Sequence, residues 1–309
     1  MKLYKPNFWD ESNISIISIL LYPISLILRL LFLVKSSVVK KIEFSIPVIC
    51  VGNIYIGGTG KTPLTIKIFE LVKKMQKNPI VIKKYYKNQF DETNLLSKVV
   101  DLSVDKSRIK AINKSLEKGF DVAVLDDGLQ DRSIKKKLSI VCFNSNQLIG
   151  NGFTIPSGPL REPIKSIHNF DIVVINGNKN KNFENLIKNN SKTIKFFYTN
   201  YIPTNIDNFK NKKVLAFAGI GNPENFFQIL SKNNVFVEKK LAFPDHYNYS
   251  KDDINKINYM AKEKNLEIIT TEKDYLRLRE NDRSSINYLS LKLKISNEKE
   301  FTQEIKKIL

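Results

Sequence analysis

The chain has 309 residues, 42% of them hydrophobic and 26% charged, with a formal net charge of +19. That much apolar material excludes a disordered chain and is enough for two domains, while two cysteines, both in apolar runs, exclude a disulfide framework and suit a reducing compartment. The positive excess favours anionic partners such as phospholipid or phosphorylated substrate, although a Lys-, Asn- and Ile-rich mix is also what AT-biased coding produces; no RNA-recognition, zinc-finger or basic-heptad signature points to nucleic acid.

Residues 14–34 are almost continuously apolar and, as a helix, reach across a hydrocarbon core of about 30 Å. Ser15, Ser18, Tyr22, Ser25, Arg29 and Ser36 recur at three- and four-residue steps, which draws one narrow polar stripe along that helix. Pro23 is expected to kink it. A helix lying in or dipping into one leaflet is the preferred reading, with a single span as its rival and a buried soluble helix as the plain alternative. The apolar region exceeds the ~7–15 residues of a signal peptide and no small-residue cleavage site follows. Lys35, Lys40 and Lys41 then keep the following domain cytoplasmic by the positive-inside tendency.

Residues 46–51 read as a buried strand, and Pro63 followed by Leu64, Ile68, Leu71 and Val72 opens a helix. Between them lies Tyr55-Ile56-Gly57-Gly58-Thr59-Gly60-Lys61-Thr62. Glycines let such a turn aim its N–H groups at phosphates, the lysine adds charge toward the β- and γ-phosphates, and the threonine hydroxyl can ligate Mg²⁺. The full G-x-x-x-x-G-K-[ST] pattern places a glycine where this chain has Tyr55, so the strict motif fails while its strand-loop-helix context holds.

Further strands are expected at 80–82, 122–125 and 140–143, and a second series at 172–175, 214–219 and 268–271, with helices near 223–231 and 251–264. The third strand runs into Asp126-Asp127-Gly128, like a Walker B element that holds Mg²⁺ at the carboxyl edge of a sheet. The Pro- and Gly-rich stretch 151–163 is the candidate hinge. The expected fold is α/β: a P-loop NTPase-like parallel sheet core, a second, smaller α/β domain and an N-terminal membrane-associated helix. The expected division is an anchoring helix at 1–36, a P-loop core at 37–155 and a C-terminal domain at 156–309 that closes over the site. The boundary is expected within 150–165, and the last residues can return to the core.

Several motifs together resemble the tetraacyldisaccharide 4′-kinases of lipid A biosynthesis. They are Val51-Gly52-Asn53 leading into the glycine turn, Leu125-Asp126-Asp127-Gly128-Leu129-Gln130, Pro156-Ser157-Gly158-Pro159-Leu160-Arg161-Glu162-Pro163, Phe217-Ala218-Gly219-Ile220-Gly221-Asn222-Pro223, Phe243-Pro244-Asp245-His246 and Thr270-Thr271-Glu272-Lys273-Asp274. The family also lacks the first Walker glycine and has an N-terminal membrane-associated helix. The resemblance implies transfer of the γ-phosphoryl of ATP to the 4′-hydroxyl of a tetraacyldisaccharide 1-phosphate, with Mg²⁺, at the cytoplasmic face of the inner membrane. It implies no nucleic acid and no obligate protein partner.

It also implies roles residue by residue. Asp91, in Asp91-Glu92, stands where the family has its catalytic Asp, but Phe90 replaces the family's glycine and Lys83-Lys84-Tyr85-Tyr86 replaces its Ser-Arg-Gly-Tyr. His246 corresponds to the histidine that pairs with that Asp; a solvated loop acid and a surface histidine are the plain alternatives. Tyr55 to Thr62 would hold ATP, Thr62, Asp126 and Asp127 the metal, and Asn53, Arg108, Gln130 and Glu162 are further candidates. Arg132 and Arg161 are candidates to meet phosphates, with solvated surface arginines as the plain alternative. The rival function is a membrane-recruited P-loop ATPase or GTPase switch acting on a protein partner, whose guanine motif [NT]-K-x-D is only nearly matched by residues 271–274.

Overall fold

The computed structural model describes residues 5–11, 14–86, 90–221, 223–244 and 247–309, and of residues 90–92 and 95 the backbone alone. The apolar amino-terminal segment forms α1 (Ile16–Ser37), with Ser15 as its N-cap. The strand before the glycine turn is β1 (Val48–Gly52), every residue of it buried. Gly60, at φ 87°, sits in the left-handed region and caps α2 (Lys61–Lys74), so Pro63 falls in the first turn, where its missing N–H leaves no helical bond unmade.

Then follow β2 (Pro79–Lys84), α3 (Phe90–Ser97), β3 (Leu102–Asp105), α4 (Arg108–Glu117), β4 (Val122–Asp126), β5 (Leu138–Asn144), β6 (Ile172–Asn176), α5 (Lys181–Asn190) and β7 (Lys195–Pro203). The second half contributes β8 (Lys213–Ala218), α6 (Pro223–Lys232), β9 (Phe236–Ala242), α7 (Lys251–Glu263), β10 (Glu267–Thr271), α8 (Glu272–Arg277), β11 (Ile286–Leu289), β12 (Leu291–Ile295) and α9 (Glu298–Lys306). The strands form an eight-stranded sheet of order β12-β7-β6-β5-β1-β4-β2-β3 and a four-stranded sheet of order β11-β10-β8-β9.

In the larger sheet β1 pairs in parallel with β4 and β5 and is the point at which the strand order turns back. Strands β1, β2, β4 and β5 are buried nearly end to end, as parallel strands covered on both faces are. Ala111 and Ile112 of α4 and Phe183 and Ile187 of α5 share one core with Val48, Cys50, Leu125 and Val173. In the smaller sheet side-chain alternation serves both faces. Val214, Ala216 and Ala218 meet Phe226, Phe227 and Leu230 of α6, whereas Leu215 and Phe217 meet Ile254, Ile257 and Ala261 of α7.

The chain divides into two compact units, Met1–Asn200 with Leu293–Leu309, and Tyr201–Lys292. Residues 151–163, read above as the hinge, lie inside the first unit, and the strand expected to open the second series is β6, which pairs with β5 in the first sheet. The reason is physical: a buried parallel strand is a plain apolar run that carries no label of the sheet it joins. Five strands, β3, β7, β9, β11 and β12, had no counterpart in the reading. β9 carries Glu238, Lys239 and Lys240 and lies at the edge of its sheet with mostly exposed residues, so it lacks an apolar run.

Helix α1 buries Ser18 and Ser25 and exposes Ile16, Ile17, Leu20, Ile24, Ile27, Leu30 and Leu31. It is the one helix among the described residues long and apolar enough to cross a membrane. Ser18 and Ser25 of its polar stripe face protein, Tyr22 and Arg29 of the same stripe are exposed, and its apolar faces point outward, the inverse of a helix in a water-soluble core.

Candidate active site

The site is built where β1, β4 and β2 end side by side. Register sets Val51 opposite Asp126 and Lys83 opposite Asp126, so the β4 acid stands between the start of the glycine loop and the end of β2. The loop itself is held from inside. Asn53, wholly buried, donates from Nδ2 to the Gly57 carbonyl at 3.2 Å and to Thr59 Oγ1 at 3.0 Å, and its own carbonyl accepts from Gln130 Nε2 at 3.0 Å. Outside, Ile56 N–H donates to the Pro159 carbonyl at 2.9 Å, Arg161 N–H to the Ile54 carbonyl at 2.6 Å, and Tyr55 bridges Leu160. The segment 159–161 thus acts as a short strand clamped on the loop.

Tyr55 is buried, and its hydroxyl hydrogen-bonds Asp10 and Lys5. Burial, reinforced by the Asp10 carboxylate, pushes its phenol far above the ordinary range. In place of the missing Walker glycine the loop has a tyrosine that ties it to the amino terminus. Gly57 and Gly60 supply the positive φ angles, 138° and 87°, that the turn needs before Lys61.

Lys61 Nζ lies 3.9 Å from Asp127 Oδ2. Burial lowers its pKa, and the Asp127 charge opposes that shift. Thr62 Oγ1 donates to Asp126 Oδ2 at 3.4 Å and Thr65 Oγ1 to Asp126 Oδ1 at 3.2 Å. Lys83 Nζ reaches Asp126 Oδ2 at 3.1 Å, both side chains almost fully buried. Thr65 was not singled out in the sequence, and Lys83 stood there only as the start of the Lys83-Lys84-Tyr85-Tyr86 departure from the family pattern, with no partner named for it.

Asp127 adopts φ 53°, in the left-handed region, immediately after β4. Arg161 Nη1 donates to both of its oxygens, at 3.0 and 3.1 Å, and to Gln130 Oε1 at 3.2 Å. Arg108, on α4, donates from Nη2 to the Asp127 carbonyl at 2.6 Å and pairs with Asp131 at 3.3 Å. Glu162, buried, accepts from Gln130 at 3.2 Å and from Arg132 at 3.3 Å. Asn53, Arg108, Gln130 and Glu162 therefore join Lys61, Asp127, Arg132 and Arg161 in one network of hydrogen bonds and ion pairs, while Thr62 and Asp126, with Thr65 and Lys83, form a second group on the neighbouring acid. Ile56 and Gly57 take part through the loop backbone and Thr59 through its hydroxyl, and Gly58 lies between them in the same turn.

Cys50 and Cys142 are buried, and burial pushes the Cys50 thiol up to about 11, which makes it a packing residue rather than a nucleophile. Asp91 falls in the first turn of α3, but its side chain lies outside the described residues. His246 also lies outside them. On either side of 245–246, Phe243, Tyr247 and Tyr249 form an aromatic cluster, with Tyr249 and Phe243 against Phe217. In the same unit Asp274 is fully buried, accepting from Thr271 Oγ1 at 2.7 Å and from Gly219 N–H at 3.0 Å and pairing with Arg277 at 3.1 Å. The Thr271-Glu272-Lys273-Asp274 stretch is a helix cap locked to the Gly219 turn, not a base-reading loop.

The model of the tetraacyldisaccharide-1-P 4′-kinase family matches residues 17–309. A tetraacyldisaccharide 4′-kinase of Pelagibacter ubique is 47% identical over the whole chain and 99% of the relative, and one of Rickettsia felis is 33% identical over 96% of this chain and 95% of its own length. The crystal structure of LpxK from Aquifex aeolicus in complex with ATP shares the fold, with a TM-score of 0.72 at 24% identity over 95% of this chain and 99% of that one. A match that runs through the glycine loop, the acidic strand end and the second unit alike means that this chain belongs to the tetraacyldisaccharide-1-P 4′-kinase family.

Proposed function

We propose that this chain transfers the γ-phosphoryl group of ATP to the 4′-hydroxyl of a tetraacyldisaccharide 1-phosphate, forming lipid IVA in lipid A biosynthesis. The observation that carries the reading is the juxtaposition of Lys61 and Thr62 with Asp126 and Asp127 at one sheet edge, in a chain that matches the kinase family over its length. In the transfer the acceptor oxygen forms a bond to the γ-phosphorus, the bond from that phosphorus to the bridging β–γ oxygen breaks, ADP leaves, and the hydroxyl proton passes to a base. Resemblance assigns the base to Asp91 and its tuning partner to His246.

Lys61, desolvated and weakly held at 3.9 Å by Asp127, is a charge placed to accept β- and γ-phosphate oxygens. The loop backbone from Gly57 to Gly60 would supply N–H donors, and Asn53 and the 159–161 segment hold the loop in place. The Thr62 hydroxyl and the Asp126 carboxylate, 3.4 Å apart, are hard oxygen donors of the kind Mg²⁺ takes beside substrate phosphates, with Asp127 adjacent. When bound, the ion would neutralise charge developing on the transferred group. An acylated acceptor resides in a bilayer, which would give the outward apolar faces of α1 their medium, and Lys35, Lys40 and Lys41 after that helix support a cytoplasmic membrane face. The cap role of residues 271–274 speaks against a guanine-reading switch.

The test is incubation of the purified chain with γ-labelled ATP, Mg²⁺ and the disaccharide 1-phosphate in detergent. Label should pass to the lipid, and Asp91→Asn should cut turnover by on the order of 10²–10⁴-fold while nucleotide affinity is kept. ATP hydrolysis without labelled lipid would overturn the reading.

A further inference from the structure

The amino-terminal segment does more than present an apolar surface. Trp9 donates from Nε1 to the Pro156 carbonyl at 3.0 Å, and its own carbonyl accepts from Asn151 N–H at 2.9 Å. A Cβ on Gly150 would fall 2.2 Å from that carbonyl, so only glycine allows the approach. The two buried serines of α1 meet the same loop: Ser25 Oγ donates to the Thr154 carbonyl at 2.9 Å and accepts from Ser157 N–H at 3.1 Å, while Ser157 Oγ donates to the Ser18 carbonyl. Asn151 gathers these parts, its Nδ2 lying 3.1 Å from Ser18 Oγ, 3.2 Å from the Phe8 carbonyl and 3.1 Å from the Ser157 carbonyl. Further along, the same loop bonds the glycine turn through Pro159 and Arg161, and Asp10 and Lys5 bond Tyr55 directly.

We infer that residues 5–10 and the serine face of α1 form a strut that fixes the nucleotide loop, with Asp10, Asn151 and Tyr55 as its positioning residues. The inference rests on the proposed reading that this loop binds nucleotide. Two independent paths reach the loop, one through Tyr55 and one through residues 151–161, and both start in the segment that carries the membrane-facing helix. A turn that has given up the first Walker glycine for a tyrosine gains an external anchor at that position. Nucleotide affinity therefore depends on groups that never touch nucleotide. Asp10 is part-exposed and away from the apolar core, so its side chain can be changed without opening a cavity.

The experiment uses the full chain in detergent with a fluorescent, non-hydrolysable ATP analogue and Mg²⁺, together with amide hydrogen exchange over residues 54–60. Asp10→Ala and Asn151→Ala should weaken analogue binding about tenfold, the loss of one hydrogen bond to a charged group or of one buried hub. Both should speed exchange in the loop, while the thermal midpoint of Asp10→Ala stays near wild type. Asp10→Asn, which still accepts from the Tyr55 hydroxyl, should recover most of the affinity. Analogue binding by Asp10→Ala within about twofold of wild type, with loop exchange unchanged, would overturn the inference. A wild-type chain that binds no nucleotide would instead remove the functional reading beneath it.

Discussion

At the scale of single residues, Asp126 decides how the site is built. It takes hydrogen bonds from Thr62 and Thr65 and the ion pair from Lys83, all in a nearly dry setting. Removing one partner of a buried pair strands the other charge, so Lys83→Ala should lower stability by about 3–5 kcal/mol in urea unfolding. Mg²⁺ with ATP should restore part of that loss, since it supplies a replacement cation. No loss of stability would show that solvent screens the pair. Asp131 supports a second prediction. Burial raises its pKa, but hydrogen bonds from Ser133 and the Arg108 charge outweigh it and hold the carboxyl below its usual range. A depressed carboxylate contributes stability that is present above its unfolded value of about 3.9 and is lost as pH falls through the lower folded value. Asp131→Asn should therefore be less stable than wild type near neutrality by about 1.5–3 kcal/mol, the worth of a hydrogen bond to a charged group. The gap should close in acid unfolding below that window. Lys61, Thr62 and Asp126 were legible in the sequence because their chemistry depends on local spacing beside predicted strands. Lys83 was not, because its role comes from a strand register that pairs it with an acid 43 residues away.

At the scale of elements, α1 is the clearest case of a composition that gives a helix without giving its surroundings. Its length, apolar character and serine period were readable; that the serines face protein and the leucines face outward follows only from the bonds to Thr154 and Ser157. Leu20 and Leu31 lie on the outward side, at 72% and 60% exposure, where a soluble protein would place polar groups. Leu20→Asp or Leu31→Asp should each weaken co-sedimentation with anionic vesicles by about 3 kcal/mol, roughly a hundredfold in partition, without unfolding the chain. Sedimentation equal to wild type would mean that this face meets something other than lipid. The 151–163 segment shows the opposite limit. Its prolines and glycines signalled a break between domains, whereas they shape a loop packed between α1 and the glycine turn, its backbone groups taken up by Trp9, Ser25 and Ile54. Such punctuation marks a departure from regular structure but not its purpose.

At the scale of the whole molecule, a parallel α/β fold with a nucleotide loop after β1, at the point where strand order turns back, follows the general placement of ligands outside the carboxyl ends of open sheets. Alternating apolar runs and helical stretches made that class legible. The assignment of strands to sheets was not, because β6 and β8 have nearly the same buried, apolar texture and yet belong to different units. A net charge of +19 agrees with a surface that works among anionic lipid, nucleotide and a phosphorylated acceptor. In the proposed reaction one particular hydroxyl of a lipid receives the phosphate. The most direct test is phosphorus NMR, correlated to sugar protons, on the lipid recovered after reaction of the purified chain with ATP, Mg²⁺ and tetraacyldisaccharide 1-phosphate. A new phosphomonoester on the 4′-oxygen is the predicted result; ATP consumed with the lipid unchanged, or a phosphate on any other oxygen, would contradict it.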